Sequence, residues 1–472
     1  MKKRVAIIGG GISGLTAAYI LHRDYSDTCE FTLFEAAGRL GGIIETIHAN
    51  GFTIECGPDS WVTEKPWAEQ LARELGLAHE LLPSNDHERR TYIARDAALI
   101  PLPDAMRMMV PADLNTVLAS PLFTEAAKHA YVEEPSRGAE LRKSALLHRG
   151  TDADESVAAF VRRHFGDEVV ETVARPLLAG VFGGDIDKLS ARALLAPFLA
   201  LEAHHGSLIS GLQRRQHAAT APVFTTLAGG LGTLVDRLSQ TLPPGSLRLS
   251  SPVLALNSSS GGWTVETANG SESFDRVLLA TPLDITRKLL DSIPLAESQQ
   301  PAALLPTDAT SGLVVALGYG AQAAPAATIP KGFGFLVTAS PATRHSLLAC
   351  TFLHQKFPDR APEGATLLRA FFASSGADAL SHRSDDEIAG VARDQLIGLL
   401  GPLPQHANVT IVRRWPRSLP QYEVGHVTRI AQFNGRLSNL HGLAIAGNAL
   451  QGVGLPDLVR DATQAAQVLA RD

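Results

Sequence analysis

"RVAIIGGGISGLTAAYIL", residues 4–21, reads as an apolar strand, a glycine turn and an apolar helix in direct succession. Gly9, Gly11 and Gly14 fall on the pattern GxGxxG, with Gly10 completing the turn. The first glycine permits a tight turn, the second lets backbone approach a pyrophosphate, and the third lets helix and strand pack closely. The helix start at Ile12 and Ser13 offers free N–H groups and the positive end of a dipole. Alone this pattern is weak. Here a second strand, "FTLF" (31–34), follows the helix and ends at Glu35, 21 residues beyond Gly14. An acid about 20 residues on is placed to accept hydrogen bonds from ribose hydroxyls, and it disfavours a 2′-phosphate. The stretch predicts an α/β fold with a Rossmann-like dinucleotide domain.

NAD and FAD both satisfy this fingerprint, so the choice rests on the next residues. "FEAAGRLGG" (34–42) sets Ala36, Arg39, Gly41 and Gly42 directly after the ribose acid. A second glycine turn is unnecessary for NAD, but suits a longer cofactor whose pyrophosphate and ribitol run onward. Arg39 could neutralise phosphate charge. At the far end, "LAIAGNALQGVGLPDLVRDATQAAQVLA" (443–470) reads as strand, glycine turn and helix starting near Pro456, a residue suited to a first turn. Gly447 and Asn448 would face ribitol or phosphates. Val453, Gly454 and Leu455 would bring helix N–H groups to the N1–C2=O end of a flavin, where reduction leaves negative charge. FAD is the better reading, and no second GxGxxG provides for a nicotinamide.

Composition excludes several classes. The chain has 472 residues, 45% hydrophobic and 19% charged, as expected for large cores divided among two or three domains. A net charge of −6 gives no reason to expect nucleic acid. Sixteen histidines lie scattered without HExxH spacing, so no metal site is expected. Three distant cysteines (Cys29, Cys56, Cys350) argue for a reducing, cytoplasmic setting and against a disulfide framework. No signal peptide or membrane span is read. "MRMMVPADLNTVLASPLF" (106–123) suits a helical wall, with peripheral membrane insertion as the alternative.

Several blocks together resemble the amine-oxidase-like flavoproteins, and within them the porphyrinogen oxidases of haem biosynthesis. They are "EAAGRLGG", "ECGPDSWVTEKPWAEQLARELGL" (55–77), "AGVFGGD" (179–185), "AGGLGTLVDRLSQTL" (228–242), "RVLLATP" (276–282), "GFGFLV" (332–337) and "AGNALQGVGLPDLV" (446–459). The resemblance spans essentially the whole chain, and the GPDS and AGVFGGD blocks are its selective part. It implies non-covalent FAD held by Gly9 to Gly14, Glu35, Ala36, Arg39 and Gly42. Gly57, Pro58, Asp59 and Ser60 would lie beside the isoalloxazine, Val253 by the adenine end, and Trp415, Gly447 and Val453 to Leu455 complete the set. Gly180, Phe333 and Leu336 would line the pocket of a flat tetrapyrrole. Family members that hold a propionate with an arginine near residue 91 differ from this chain, which has Thr91. Alternation along a strand would turn Arg89 the same way, although a solvated Arg89 is as plausible. The missing arginine resembles the branch that oxidises coproporphyrinogen III, which tilts the choice from protoporphyrinogen IX.

The implied activity is a six-electron oxidation in three rounds, with molecular oxygen as acceptor and the product handed on within the haem pathway. No side-chain acid, base or nucleophile stands out, and none is needed where flavin takes hydride. A flavin amine oxidase and a carotenoid desaturase are the rival enzymes, and a flavin or lipid carrier is the non-enzymatic one. No cysteine lies near the C-terminus to attach flavin, and residues 443–472 contain no aromatic. The expected FAD domain is discontinuous: 1–85, 225–285 and 425–472. A mostly helical insert (90–215) and a β-rich substrate domain (286–424) should cover the ring. "SPVLALNSSSGGWTVETANG" (251–270) alternates as a β-meander, and 199–224 reads as a return linker.

Overall fold

Lys3–Ile8 is buried along its last four residues, which explains its unbroken apolar run: it is central in a parallel sheet. The computed structural model describes residues 2–147, 153–214, 222–259, 261–322, 329–338 and 347–471. In that sheet the strand order is Leu247–Arg248, Cys29–Phe34, Lys3–Ile8, Arg276–Leu279, Leu443–Ile445, and every pairing is parallel. The chain leaves Lys3–Ile8 toward one neighbour and returns on the other side, so a crevice opens at Gly9, beyond the carboxyl end of that strand. Helix Ile12–Tyr25 buries every residue from Ile12 to Leu21. It is apolar all round because the sheet lies on one side and helix Leu455–Arg471 packs along another. The opposite face of the sheet is covered by the meander Val253–Ser259, Gly262–Thr267 and Gly270–Phe274, which contributes Trp263 and Phe274.

A second sheet of seven strands runs Val409–Pro420, Ala309–Tyr319, Thr366–Ala373, Ala349–Phe352, Gly334–Val337, Thr91–Arg95, Ala98–Pro101. Its pairings are antiparallel except Gly334–Val337 against Thr91–Arg95. Two of its strands therefore come from the segment expected to be a helical insert. The 90–215 stretch is mostly helical only from Leu114 onward.

Two further local expectations are corrected. Residues 106–123 are not one helical wall: Met106–Arg107 and Val110–Pro111 pair antiparallel, and a short helix, Leu114–Leu118, follows. Pro111 has no N–H to extend a helix, and the Asp113 side chain caps the new one by accepting from Asn115 N–H. Residues 199–214 are not a linker but the helices Ala196–His205 and Leu208–Arg214, which bury Leu201, Leu208, Ile209 and Leu212. Of the rest of that expected linker, 215–221 lies outside the described residues, and Phe224 already opens the strand Phe224–Leu227.

Candidate cofactor and substrate site

The turn after the first strand is closed by backbone contact. Gly9 has φ +108°, and a Cβ there would lie 2.3 Å from the Ala280 carbonyl oxygen. A Cβ on Gly14 would lie 1.9 Å from the Gly9 oxygen. Any side chain at either position would push strand and helix apart. Gly11 differs, since a Cβ there would meet nothing within 4 Å. It leaves open space in front of the N-terminus of helix Ile12–Tyr25. Gly11 also bridges Gly41, and a Cβ on Gly42 would be 3.3 Å from Gly11 Cα, so the two glycine turns adjoin.

Glu35 stands at the end of the second strand. Its Oε2 accepts from Gly10 N–H at 2.6 Å and its Oε1 from Ala37 N–H at 2.7 Å. Each oxygen retains a lone pair for a further donor such as a ribose hydroxyl. Ala36 beside it is exposed. Ser251 N–H donates to the Glu35 carbonyl at 2.8 Å, which brings the segment leading to Val253 against this acid. Arg39 is exposed, and its guanidinium also turns back on its own loop. It donates to the carbonyls of Gly42 at 2.6 Å, Leu40 at 3.1 Å and Ile44 at 3.2 Å, and so holds the second turn in shape.

Gly57 packs against that turn: a Cβ on it would lie 1.9 Å from the Ile43 carbonyl oxygen. Two other elements hold the same segment. Trp415 Nε1 donates to the Cys56 carbonyl at 2.7 Å, with the Arg39 guanidinium 6.0 Å from its ring. Arg369 donates to the Gly57 carbonyl and, at 3.0 Å, to Asp59 Oδ2. Asp59 Oδ1 accepts from Lys356 Nζ at 2.8 Å and Ser60 Oγ at 2.6 Å. Burial alone would raise the Asp59 pKa, but Lys356 and Arg369 outweigh it and hold the carboxyl well below its ordinary range. Pro58 lies half-buried between these anchors.

The C-terminal glycine turn is gripped from behind. Tyr422 Oη donates to the Asn448 carbonyl at 2.5 Å, and Asn448 Nδ2 donates to the Ser418 carbonyl at 2.8 Å. His426 stacks on Tyr422 with centroids 4.1 Å apart, and its Nε2 lies 2.7 Å from the Leu450 carbonyl. A carbonyl only accepts, so Nε2 carries the proton. Burial pushes the His426 pKa down to about 4, and the ring is neutral. Gly447 is open, with nothing within 4 Å of a built Cβ, while Val453 and Gly454 are half-buried ahead of the helix that starts at Leu455. In its first turn Asp457 accepts from Lys65 Nζ at 2.6 Å.

On the side of the second sheet, Gly180 and Leu336 meet: a Cβ on Gly180 would lie 3.4 Å from Leu336 Cδ2. Gly180 is exposed in helix Arg175–Phe182, which packs on strands Gly334–Val337 and Thr366–Ala373. Phe333 is 6% exposed and tied at both ends, its N–H donating to Arg90 O and its carbonyl accepting from Phe352 N–H, each at 2.8 Å. Arg89 precedes strand Thr91–Arg95 and follows a short 3-10 turn, so its direction does not follow from strand alternation, and its side chain is exposed.

Sequence reading missed Lys356, Arg360, Arg369, Tyr422 and His426. Arg369 carried a signal, a lone charge inside the apolar strand "TLLRAFFA" (366–373). The residues present fit FAD: open space lies over Gly11 and Gly447, the Glu35 oxygens have free lone pairs, and helix N-termini begin at Ile12 and Leu455.

Comparison with known proteins identifies the family. The family model described as flavin containing amine oxidoreductase matches residues 12–470. The chain is 32% identical to the coproporphyrinogen III oxidase of Bacillus subtilis (strain 168), over 97% of this chain and 96% of that protein. It is 29% identical to the mitochondrial protoporphyrinogen oxidase of Nicotiana tabacum, over 99% and 94%. A crystal structure titled "Putative protoporphyrinogen oxidase from Exiguobacterium sp. 255-15" superposes with a TM-score of 0.84 at 32% identity, covering 100% of this chain and 99% of that one. A putrescine oxidase structure, at 19% identity and TM-score 0.71, shares the fold.

Proposed function

The chain belongs to the flavin-containing amine oxidoreductase family, and from that premise we propose that it is an FAD-dependent porphyrinogen oxidase of haem biosynthesis. The observation that carries the reading is similarity to porphyrinogen oxidases along the full chain. The FAD cradle around Gly11, Glu35 and Gly447 supports it. The overall reaction removes six electrons and six hydrogens from a porphyrinogen while three molecules of oxygen become three of peroxide.

When bound, FAD supplies the hydride acceptor, and the protein need contribute no acid or base. The chain's own work is positioning. Trp415 and Arg369 hold residues 56–59 from the second sheet, which ties the cradle to the sheet that carries Leu336 and, just ahead of its strand, Phe333. Leu336 and Phe333 offer apolar walls to a flat macrocycle, and the bare Gly180 leaves room for its edge. Holding one meso carbon in line with the acceptor is the larger part of such catalysis.

Coproporphyrinogen III is the substrate we favour. It carries four propionates, and the exposed side chains of Arg89 and Arg90, beside Phe333, are two guanidinium groups able to meet them. Among the described residues no helix is long and apolar enough to cross a membrane. We place the work in the cytoplasm, with product passed to a later haem-pathway enzyme; flotation with anionic vesicles tests peripheral membrane contact. The deciding assay follows oxygen uptake and porphyrin fluorescence with both porphyrinogens. A higher kcat/KM for coproporphyrinogen III is expected, and turnover of neither would overturn the function.

A further inference from the structure

Beneath residues 57–60 lies a buried charge cluster that is not balanced. Glu55 and Arg360 are fully buried, Arg369 is 1% exposed, and the side chains of Lys356 and Asp59 are 10% and 11% exposed. Arg360 Nη2 lies 3.5 Å from Glu55 Oε1 and donates to Thr226 Oγ1 at 2.9 Å and to the Leu227 carbonyl at 2.8 Å, while Nη1 donates to the Ala228 carbonyl at 3.2 Å. Glu55 accepts from Leu231 N–H and Thr46 Oγ, each at 2.8 Å. Lys356 and Arg369 share the one carboxylate of Asp59, and Lys356 Nζ also sits 4.4 Å from the centre of the Phe224 ring. Three cations thus face two carboxylates.

Burying an ion is costly unless an opposite charge compensates it. A cluster whose only task was to join the sheets would be served better by equal numbers. Burial pushes the Glu55 pKa up against the pull of Arg360, and pushes the Arg360 pKa down, so the surplus is read from the geometry of the three cations and two carboxylates. No further carboxylate touches Lys356 or Arg369 among the described residues. The side chains are too enclosed to serve as a landing place for a propionate. Both cations nonetheless hold residues 57–60 directly: Arg369 donates to the Gly57 carbonyl, and Lys356 to Asp59 Oδ1 and, at 3.1 Å, to Ser60 Oγ.

We propose that the surplus positive charge of Lys356 and Arg369, held in place by Asp59, stabilises the anionic reduced flavin through space. The proposal rests on the reading that residues 57–60 lie beside the bound ring. Reduction adds two electrons and one proton at N5, leaving one negative charge on N1–C2=O. A fixed cation nearby favours that charge and costs no reorganisation when it forms. Lys356 and Arg369 are positioning residues in this role, since neither needs to touch substrate.

The test uses opposite signs. Purified holoprotein is equilibrated with a reference redox dye at pH 7, and the ratio of reduced to oxidised flavin is read spectroscopically. Lys356→Met removes a positive charge and should lower the ratio, by roughly tenfold for a charge acting across such a distance in protein. Asp59→Asn removes a negative charge and should raise it. The double variant removes both, and Lys356→Arg removes neither, so both should return the ratio to within about threefold of wild type. A structural role would move the two single variants the same way, through a loosened loop, in step with their melting temperatures. Bound flavin with a ratio unmoved, or moved in one direction by both, overturns the proposal alone. Should either single variant fail to fold, a shifted ratio in the folded double variant overturns it. Wild-type protein that retains no flavin overturns the underlying reading, and the proposal with it.

Discussion

At the residue scale, Glu35 and His426 show how one side chain governs cofactor and stability. Glu35 already accepts two backbone N–H groups, from Gly10 and Ala37, so its oxygens are fixed before any ribose arrives. Glu35→Ala should weaken FAD retention by about 1.5–3 kcal/mol, the range for hydrogen bonds to a charged group. Acid precipitation of the wild type should release all flavin to the supernatant; flavin left on the denatured chain would contradict non-covalent binding. His426 is buried neutral with a pKa of about 4 against 6.5 unfolded. Between those values the unfolded chain binds the extra proton. Its contribution is therefore complete above pH 6.5 and is lost as pH falls toward 4, on the order of 3 kcal/mol in all. His426→Gln should flatten that part of the stability–pH curve, measured by urea unfolding between pH 7 and 4.5. A curve as steep as wild type would show that other groups set the acid limit.

Elements show why part of this site was legible and part was not. The strand–turn–helix of residues 3–25 announces itself because the contacts its spacing encodes are near in sequence: Gly14 meets Gly9, and Glu35 meets Gly10, while the packing of Gly9 on Ala280 is distant and leaves no local pattern. The meander at 253–274 likewise follows from alternation and short turns. Lys356 and Arg369 reach Asp59 across 297 and 310 residues, and nothing near either one specifies that partner. The helices at 196–214 were hidden by histidines and small residues, whose burial depends on neighbours from the rest of the insert. Arg89 looked like a strand residue only because the 3-10 turn before Thr91 has no distinct pattern. In the legible element a Gly14→Ala exchange should be severe, since its methyl group would lie 1.9 Å from a carbonyl oxygen. Loss of bound flavin and a lower melting temperature are expected together; a flavin-replete, fully stable variant would mean the turn can open.

For the whole molecule, the question is whether two sheets enclose a ring-shaped substrate where helix Arg175–Phe182 crosses strand Gly334–Val337. Gly180 gives the sharpest answer, because its two readings predict opposite results. As a plain helix residue it is a defect, and Gly180→Ala should stabilise the protein by about 0.5–1 kcal/mol without harming turnover. As the floor of a pocket it is required for its missing side chain. The space beyond it ends in ordinary contact, with Leu336 Cδ2 3.4 Å from a built Cβ, so alanine should fit while leucine should not. Gly180→Leu is therefore expected to keep its flavin and its melting temperature, yet to lose most of kcat/KM for coproporphyrinogen III. Phe333→Ala supplies the converse. It removes an apolar wall rather than adding bulk, and should raise KM while bound FAD stays intact. Were Phe333 merely core, the same change would cost about 3–5 kcal/mol of stability with near-normal activity. Flavin content, melting temperature and kcat/KM from one preparation of each variant separate these cases. Full activity in Gly180→Leu would place the tetrapyrrole elsewhere.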